Sequence, residues 1–254
     1  MEKPLTRYDV LGVQVSACDL TTACRLIRQR AESGGKGYVC FCGVHGVMES
    51  QRDATLQDIY NGAFINSPDG MPLVWLGKHR SEKSVGRVYG PDVLMALCEQ
   101  TANTGLRHYF YGGGEGVAEA LAARLKAQFP DLEVAGTYTP PFRDLTPEEE
   151  QQLISEVDAA QPHFFWVGLG TPKQDKFMHV WLSRLNVNLM LGVGAAFDFH
   201  SGRKPQAPRW MQRSGLEWLF RLITEPRRLA RRYLVYNPIF VWKITQDYLF
   251  HQRK

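Results

Sequence analysis

The chain has no C-x-x-C pair, no D-x-D pair and no two histidines spaced three or four apart. Five cysteines (Cys18, Cys24, Cys40, Cys42 and Cys98) are an odd number without metal-ligand spacing. That argues against a disulfide framework or a zinc site and predicts reduced thiols. None of the twelve aspartates lies two positions from another, so no paired carboxylates are offered to a divalent ion on a diphosphate. No metal site is expected, and a diphosphate would have to be met by arginine, lysine and helix termini. The G-x-S-x-G elbow of a serine nucleophile is missing. No apolar run approaches the roughly 18 to 20 residues that span a bilayer. The N-terminal MEKPLTRYDV holds no stretch of secretory-signal length, and a cytoplasmic protein is expected.

What is present is a globular mixture of 254 residues, 44% hydrophobic, 11% aromatic and 22% charged. It suits one large domain, or one domain with an appendage. The net charge of +4 is unevenly spread. Residues 199–254 carry 12 Lys or Arg against three acids (Glu217, Glu225, Asp247), whereas the first 198 hold 18 bases and 23 acids. An acidic body with a basic end points to an anionic partner.

Apolar runs of strand length alternate with amphipathic helical patterns. Strands are predicted over 11–15, 38–42, 64–65, 107–111, 133–136, 164–169 and 188–193. Helices are predicted after Asp19, near Met71, after Asp92, from the glycine run to about 128, after Thr146 and over 172–185. Thr146-Pro147-Glu148-Glu149 has capping-box spacing with proline at the first helical position. The alternation predicts an α/β, Rossmann-like fold: a mostly parallel sheet with helices on both faces. Strand signals stop at Asp198. Leu216, Leu219, Phe220 and Ile223 then make one helical face, and Pro226 starts a helix bearing Arg227, Arg228, Arg231 and Arg232. Asn237-Pro238 is expected to break it before a last apolar stretch running from Ile239 to Phe250. The expected division is a catalytic α/β domain over 1–198 and a C-terminal α-helical appendage over 199–254.

Ligands of open parallel sheets bind beyond the carboxyl ends of the strands, so polar residues following predicted strands are the candidates. Gly112, Gly113 and Gly114 lack dinucleotide-fingerprint spacing, which leaves a tight turn or backbone amides that approach a phosphate. Asp69, between Pro68 and Gly70, fits a general base or a cap for the helix near Met71, and spacing alone favours the cap. Thr171 and Gln174 fit a capping box. Lys173 puts a cation at a helix N-terminus, unfavourable unless an anion is near. Arg221, Arg228 and Arg231 would share one face of a continuous helix, beside Trp218, Tyr233, Tyr236 and Trp242. Arginines beside such aromatics suit an anionic membrane surface.

Seven stretches in order carry a resemblance: INSPDGMPLVW (65–75), RVYGPDV (87–93), FYGGGEGV (110–117), GTYTPPF (136–142), VGLGTPKQDKF (167–177), GVGAAFDFHSGR (192–203) and GLEWLFRLITEPRRLARR (215–232). With them the chain resembles the WecG/TagA/CpsF family of bacterial glycosyltransferases. The resemblance implies inverting transfer of a hexose-type sugar from a UDP-sugar to a polyprenyl-diphosphate-linked saccharide, in cell-surface polysaccharide assembly, with no cofactor and no D-x-D metal site. It implies Asp69 as catalytic base, Arg87 as a site residue, and Gln174 and Asp198 as contacts to the nucleotide sugar. Arg221, Arg228 and Arg231 are implied over the active site, completing it at the inner face of the cell membrane. Phe41-Cys42-Gly43-Val44-His45 departs from the Thr- or Asn-containing motif of many members, with Gly43 at the usual Asn position, so the donor sugar is not carried over. The alternatives are an NAD-dependent oxidoreductase, disfavoured by the glycine spacing, and a nucleic-acid-binding protein, disfavoured because the charge adjoins an apolar tail. No nucleic acid partner is expected, and a homo-oligomer is left open.

Overall fold

The structure, a computed structural model, describes residues 5–80 and 84–251, without the side chains at 250 and 251. The predicted strand over 11–15 is instead a hairpin, β1 (Arg7–Val10) and β2 (Val13–Ser16), paired antiparallel. Leu11 and Gly12 both take positive φ (55° and 86°), as primed hairpin turns require, and the chain reverses where alternation read as continuous. Helix α1 (Leu20–Glu32) starts where expected, with Asp19 accepting from the Thr22 amide at 2.8 Å. After β3 (Gly37–Cys42) come α2 (Val44–Ser50) and α3 (Ala54–Gly62), two short helices that the periodicity left unassigned. Then follow β4 (Ile65–Pro68), α4 (Met71–Arg80) and α5 (Gly90–Thr101). Tyr89, not Asp92, occupies the α5 cap position, and Asp92 lies in the first turn paired with Arg209 at 3.1 Å.

The second half is β5 (Arg107–Gly112), α6 (Val117–Gln128), β6 (Glu133–Tyr138), α7 (Pro147–Ala160), β7 (Phe164–Gly168), α8 (Lys173–Trp181) and β8 (Leu189–Gly192). The predicted capping box forms: Thr146 and Glu149 exchange side-chain and backbone bonds at the start of α7. Six strands make one parallel sheet in the order β4-β3-β8-β7-β5-β6. Strands β3, β4 and β8 are buried at every residue, the pattern of strands covered on both faces, and only the edge strand β6 is open. One face packs Cys40, Tyr109, Phe165 and Met190 against α2, α3, α4, α7 and α8. The other packs Val39, Phe110, Trp166 and Leu191 against α1, α5 and α6. All five cysteines are free and buried, and burial pushes Cys18 and Cys24 up to about 12.

Beyond β8 the described chain is helical: α9 (Ala196–His200), α10 (Arg209–Arg213), α11 (Glu217–Thr224) and α12 (Pro226–His251). One sequence expectation holds here and one fails. Glu225 leaves helical geometry and Pro226 starts a new helix, as expected, which puts Arg221 on a different helix from Arg228 and Arg231. Helix α12 then runs through Pro238, where a break was expected. Proline deprives the Leu234 carbonyl of its donor, but Leu234 is exposed, and buried Tyr236 and Phe240 hold both halves to the body. Burial of such apolar side chains contributes about 1.5–3 kcal/mol each, against at most about 1 kcal/mol for a surface ion pair. Those side chains, more than the Arg80–Asp247 pair at 2.7 Å, therefore dock the tail. No described helix is long and apolar enough to cross a membrane.

Candidate active site

Because all six strands are parallel, their carboxyl ends share one edge of the sheet, and two cavities open there. The narrower, about 120 Å³, lies beyond β3 and β4. The body contributes Gly43, His45, Asp69, Arg87 and Tyr89, and the tail adds Glu217, Trp218, Arg221, Arg232 and Tyr233.

Asp69 immediately follows β4, and its amide donates to the Cys42 carbonyl at 2.9 Å, extending the β3–β4 pairing into the loop. It does not cap α4. Gly70 holds that position, its carbonyl accepting from Leu73 and Val74 at 3.0 and 3.3 Å. The Asp69 carboxyl faces the cavity instead, and Oδ1 is buried with no hydrogen-bond partner among the described residues. Burial pushes it up to about 6; Arg87, Arg221 and Arg232 oppose the rise and Glu217 adds to it. A carboxyl that changes protonation near neutrality, with a free oxygen in a cavity, has the properties of a general base.

Arg87 is fixed on three sides. Its Nε donates to the Asp69 carbonyl at 2.7 Å, Nη2 donates to Glu217 Oε2, and the guanidinium lies 3.9 Å from the Tyr89 ring centroid. Two further guanidinium groups, Arg221 and Arg232, line the cavity from the tail, and the Nε of each is buried without a partner among the described residues. Burial, and behind it the neighbouring Arg221 charge, draws Arg232 below the ordinary guanidinium value. Buried donors of one sign around a small space call for an anion. His45 is held down to about 3 by burial, then by Arg232 and Arg221, so it is neutral near pH 7.

The wider cavity, about 1020 Å³, spreads over the ends of β5, β7 and β8. Gly113, Gly114, Lys173, Asp198, Lys204 and Arg228 line it, with Tyr111, Phe177 and Trp181 as an aromatic floor. Gly112 does not line it. A Cβ there would stand 2.8 Å from the Gly168 backbone at φ 124°, and Gly113 donates its amide to the Gly168 carbonyl at 3.1 Å. These two glycines serve a close approach of strands first, and Gly113 has no amide left for a phosphate. Gln174 is buried and outside the lining: Oε1 accepts from the Gly170 amide at 3.0 Å and Nε2 donates to the Gly192 carbonyl. It ties the turns after β7 and β8 together. The Thr171–Gln174 capping box is not formed, since Pro172 takes the cap position and the Thr171 side chain bonds to Asp175.

The structure thus divides the sequence-predicted site residues. Asp69, Arg87 and Arg221 converge in the narrow cavity, while Gly113, Gly114, Lys173, Asp198 and Arg228 line the wide one. Arg231 is exposed and lines neither. Its place in the narrow cavity is taken by Arg232, which shares a helical stripe with buried Leu229, Tyr236 and Phe240. Glu217 and Tyr89 are wall residues that sequence reasoning missed, while His45 ends the post-strand stretch Gly43–His45. Among the described residues no three His, Cys, Asp or Glu side chains are grouped to hold a metal ion.

Residues 8–254 match the Glycosyl transferase WecG/TagA/CpsF family. The chain belongs to that family. Its curated relatives include the N-acetylglucosaminyldiphosphoundecaprenol N-acetyl-beta-D-mannosaminyltransferase of Bacillus spizizenii, 28% identical over 183 residues, 72% of this chain and 69% of the relative. The enzyme of the same name from Bacillus subtilis is 27% identical over 180 residues, 71% and 68% of the two chains. The WecG/TagA/CpsF chain described here is accordingly a glycosyltransferase, with an α/β Rossmann-like body and a helical tail.

Proposed function

We propose that this glycosyltransferase moves a hexose-type sugar from a UDP-sugar to a polyprenyl-diphosphate-linked saccharide, with inversion and without a metal, in cell-surface polysaccharide assembly. The acceptor class is supported by the relatives' names, which describe transfer to a diphosphoundecaprenol-linked sugar. The observation that carries the reading is the juxtaposition, in one cavity, of the free Asp69 Oδ1 with the unpartnered Nε groups of Arg221 and Arg232. In the reaction the acceptor O–H bond breaks, its proton passes to Asp69, and the oxygen forms the new bond to the anomeric carbon. The bond from that carbon to UDP breaks with its electron pair on the diphosphate, where Arg221 and Arg232 stabilise the developing charge. The wide cavity, with its aromatic floor and Lys173, Lys204 and Arg228, suits the nucleotide end of the donor.

The tail also supplies a membrane-facing surface in this reading. Leu234, Val241 and Tyr248 recur every seven residues along α12, Val235, Trp242 and Leu249 lie beside them, and all six are exposed. Exposed Arg227 and Arg231 extend the same face towards the helix start. An apolar and basic stripe of this kind lies on an anionic surface, each base contributing about 1 kcal/mol. The function is tested by offering a panel of UDP-sugars with a polyprenyl-diphosphate-linked saccharide and reading products by mass. One added hexose-type residue, with release of UDP, is expected. Consumption of no UDP-sugar in the presence of that acceptor class would contradict it.

A further inference from the structure

The Arg87 guanidinium stands between two carboxylates, in ion-pair range of both but hydrogen-bonded to only one. Its Nη2 donates to Glu217 Oε2, whereas Asp69 Oδ1 is 3.7 Å away, too far for a hydrogen bond. Glu217 is itself fully engaged: Oε1 accepts from the Tyr89 hydroxyl at 2.8 Å, and the residue is only 8% exposed. Left to itself, an arginine beside one carboxylate closes into a two-point ion pair, the strongest geometry open to it. Here the carbonyl of Asp69, the Tyr89 ring and Glu217 together hold the guanidinium out of that pairing.

We infer that Glu217, on the first turn of α11, is a positioning residue that holds Arg87 out of a two-point pair with Asp69 and so keeps that carboxyl free to take the acceptor's proton. The inference rests on Asp69 being the base. It gives the tail a second role besides supplying guanidinium groups: the carboxylate that sets the state of the base lies 148 positions downstream of it, so a body with no docked tail would carry a base closed onto Arg87. The charged and titratable groups around Asp69 are Arg87, Tyr89 and the buried Cys42 thiol from the body, Glu217 and Arg221 from α11, Arg232 and Tyr233 from α12, and neutral His45. Loss of the Glu217 charge acts on Asp69 in one direction. It removes a nearby anion and frees Arg87 to pair, and both changes favour the ionised carboxylate.

The test is Glu217→Gln in the full-length chain, assayed with UDP-sugar and a water-soluble acceptor analogue across pH 4.5–8.5. The expected result is a fall of about tenfold in kcat at pH 7.5, with the donor KM within about threefold. The acid limb of kcat should also move to lower pH by about one unit or more. Tyr89→Phe, which removes only the hydroxyl on Oε1, should shift the limb the same way by less, and it carries the test if Glu217→Gln does not fold. A lowered kcat with the acid limb unmoved would overturn the inference and leave Glu217 as a brace between tail and body. Asp69→Asn separates this from failure of the underlying reading. If its residual activity retains the parent's acid limb, Asp69 is not the titrating base, whatever Glu217 does.

Discussion

The two cavities at the carboxyl edge of the sheet are made of different material. The wide one is shaped by backbone turns after β5, β7 and β8; Lys173 is exposed there, and two other cations are already paired: Lys204 with Asp198 and Glu225 at 2.9 and 3.1 Å, Arg228 with Glu225 at 2.7 Å. The narrow one draws charged side chains from two loops and two tail helices, and leaves Asp69 Oδ1 and the Nε of Arg221 and Arg232 without hydrogen-bond partners among the described residues. Paired and solvated groups tolerate a ligand at little cost. Buried unpaired groups cost about 1–3 kcal/mol each, a cost that a ligand completing them would relieve. The difference supports the proposed reading, in which the wide cavity binds and the narrow one holds the chemistry.

The largest effect that could break this assignment comes from the guanidinium groups. Arg221→Ala combined with Arg232→Ala should lower kcat by roughly 10²–10³-fold, the scale of lost charge stabilisation at a leaving group. Steady-state kinetics on a soluble acceptor analogue checks it, with UDP binding followed separately by calorimetry. A smaller effect sharpens the contrast between neighbours. Arg232→Ala alone should cost about tenfold or more, while Arg231→Ala on the same analogue should stay within about threefold, because Arg231 faces outward. Arg231→Ala should instead weaken flotation with anionic vesicles.

In the wide cavity the expected effects are on affinity. Lys173→Ala should raise the donor KM by about three- to tenfold with kcat nearly unchanged, as expected for an exposed charge that contributes to binding alone. A large loss of kcat would move chemistry into that cavity. The smallest effect expected is none: turnover should be the same with and without EDTA, the cationic role falling to arginine. Loss in EDTA, restored by magnesium or manganese, would contradict it.

Much of the fold was legible because buried parallel strands and capped helices leave local marks. Asp19 and the Thr146–Glu149 box are examples, their hydrogen bonds closing within three residues. The misread places are those where tertiary contacts override local pattern. Pro238 stays inside a helix because Tyr236 and Phe240 are anchored on the body, and Thr171–Gln174 forsakes its box because Gln174 bridges two strand ends. Asp69 was reachable from its position beyond β4 and from the family resemblance, and Arg87 from the resemblance alone. Arg232 was not picked out, although it lies three and four residues from Leu229 and Tyr236 on the buried stripe of α12. A polar residue in phase with an apolar stripe is the signal that could have found it. Glu217 left a fainter mark, four residues before Arg221 on α11, and its pairing with Arg87 across 130 positions has no local trace.

The most direct test of the division between the cavities is Asp69→Asn, measured for turnover, UDP binding and thermal stability. Turnover should fall by roughly 10²-fold or more while UDP binding stays within about twofold. Stability gives an independent sign. The folded value of about 6 lies above the ordinary 3.8, so the folded state holds this proton more tightly, and ionising Asp69 costs stability as pH rises through 4 to 6. The uncharged asparagine avoids that cost, so the variant should melt a few degrees above the parent at pH 7.5, with the gap closing near pH 4. Loss of turnover with UDP binding kept and the melting point raised is the predicted result. Turnover within a few-fold of the parent, or UDP binding lost together with turnover, would contradict the account.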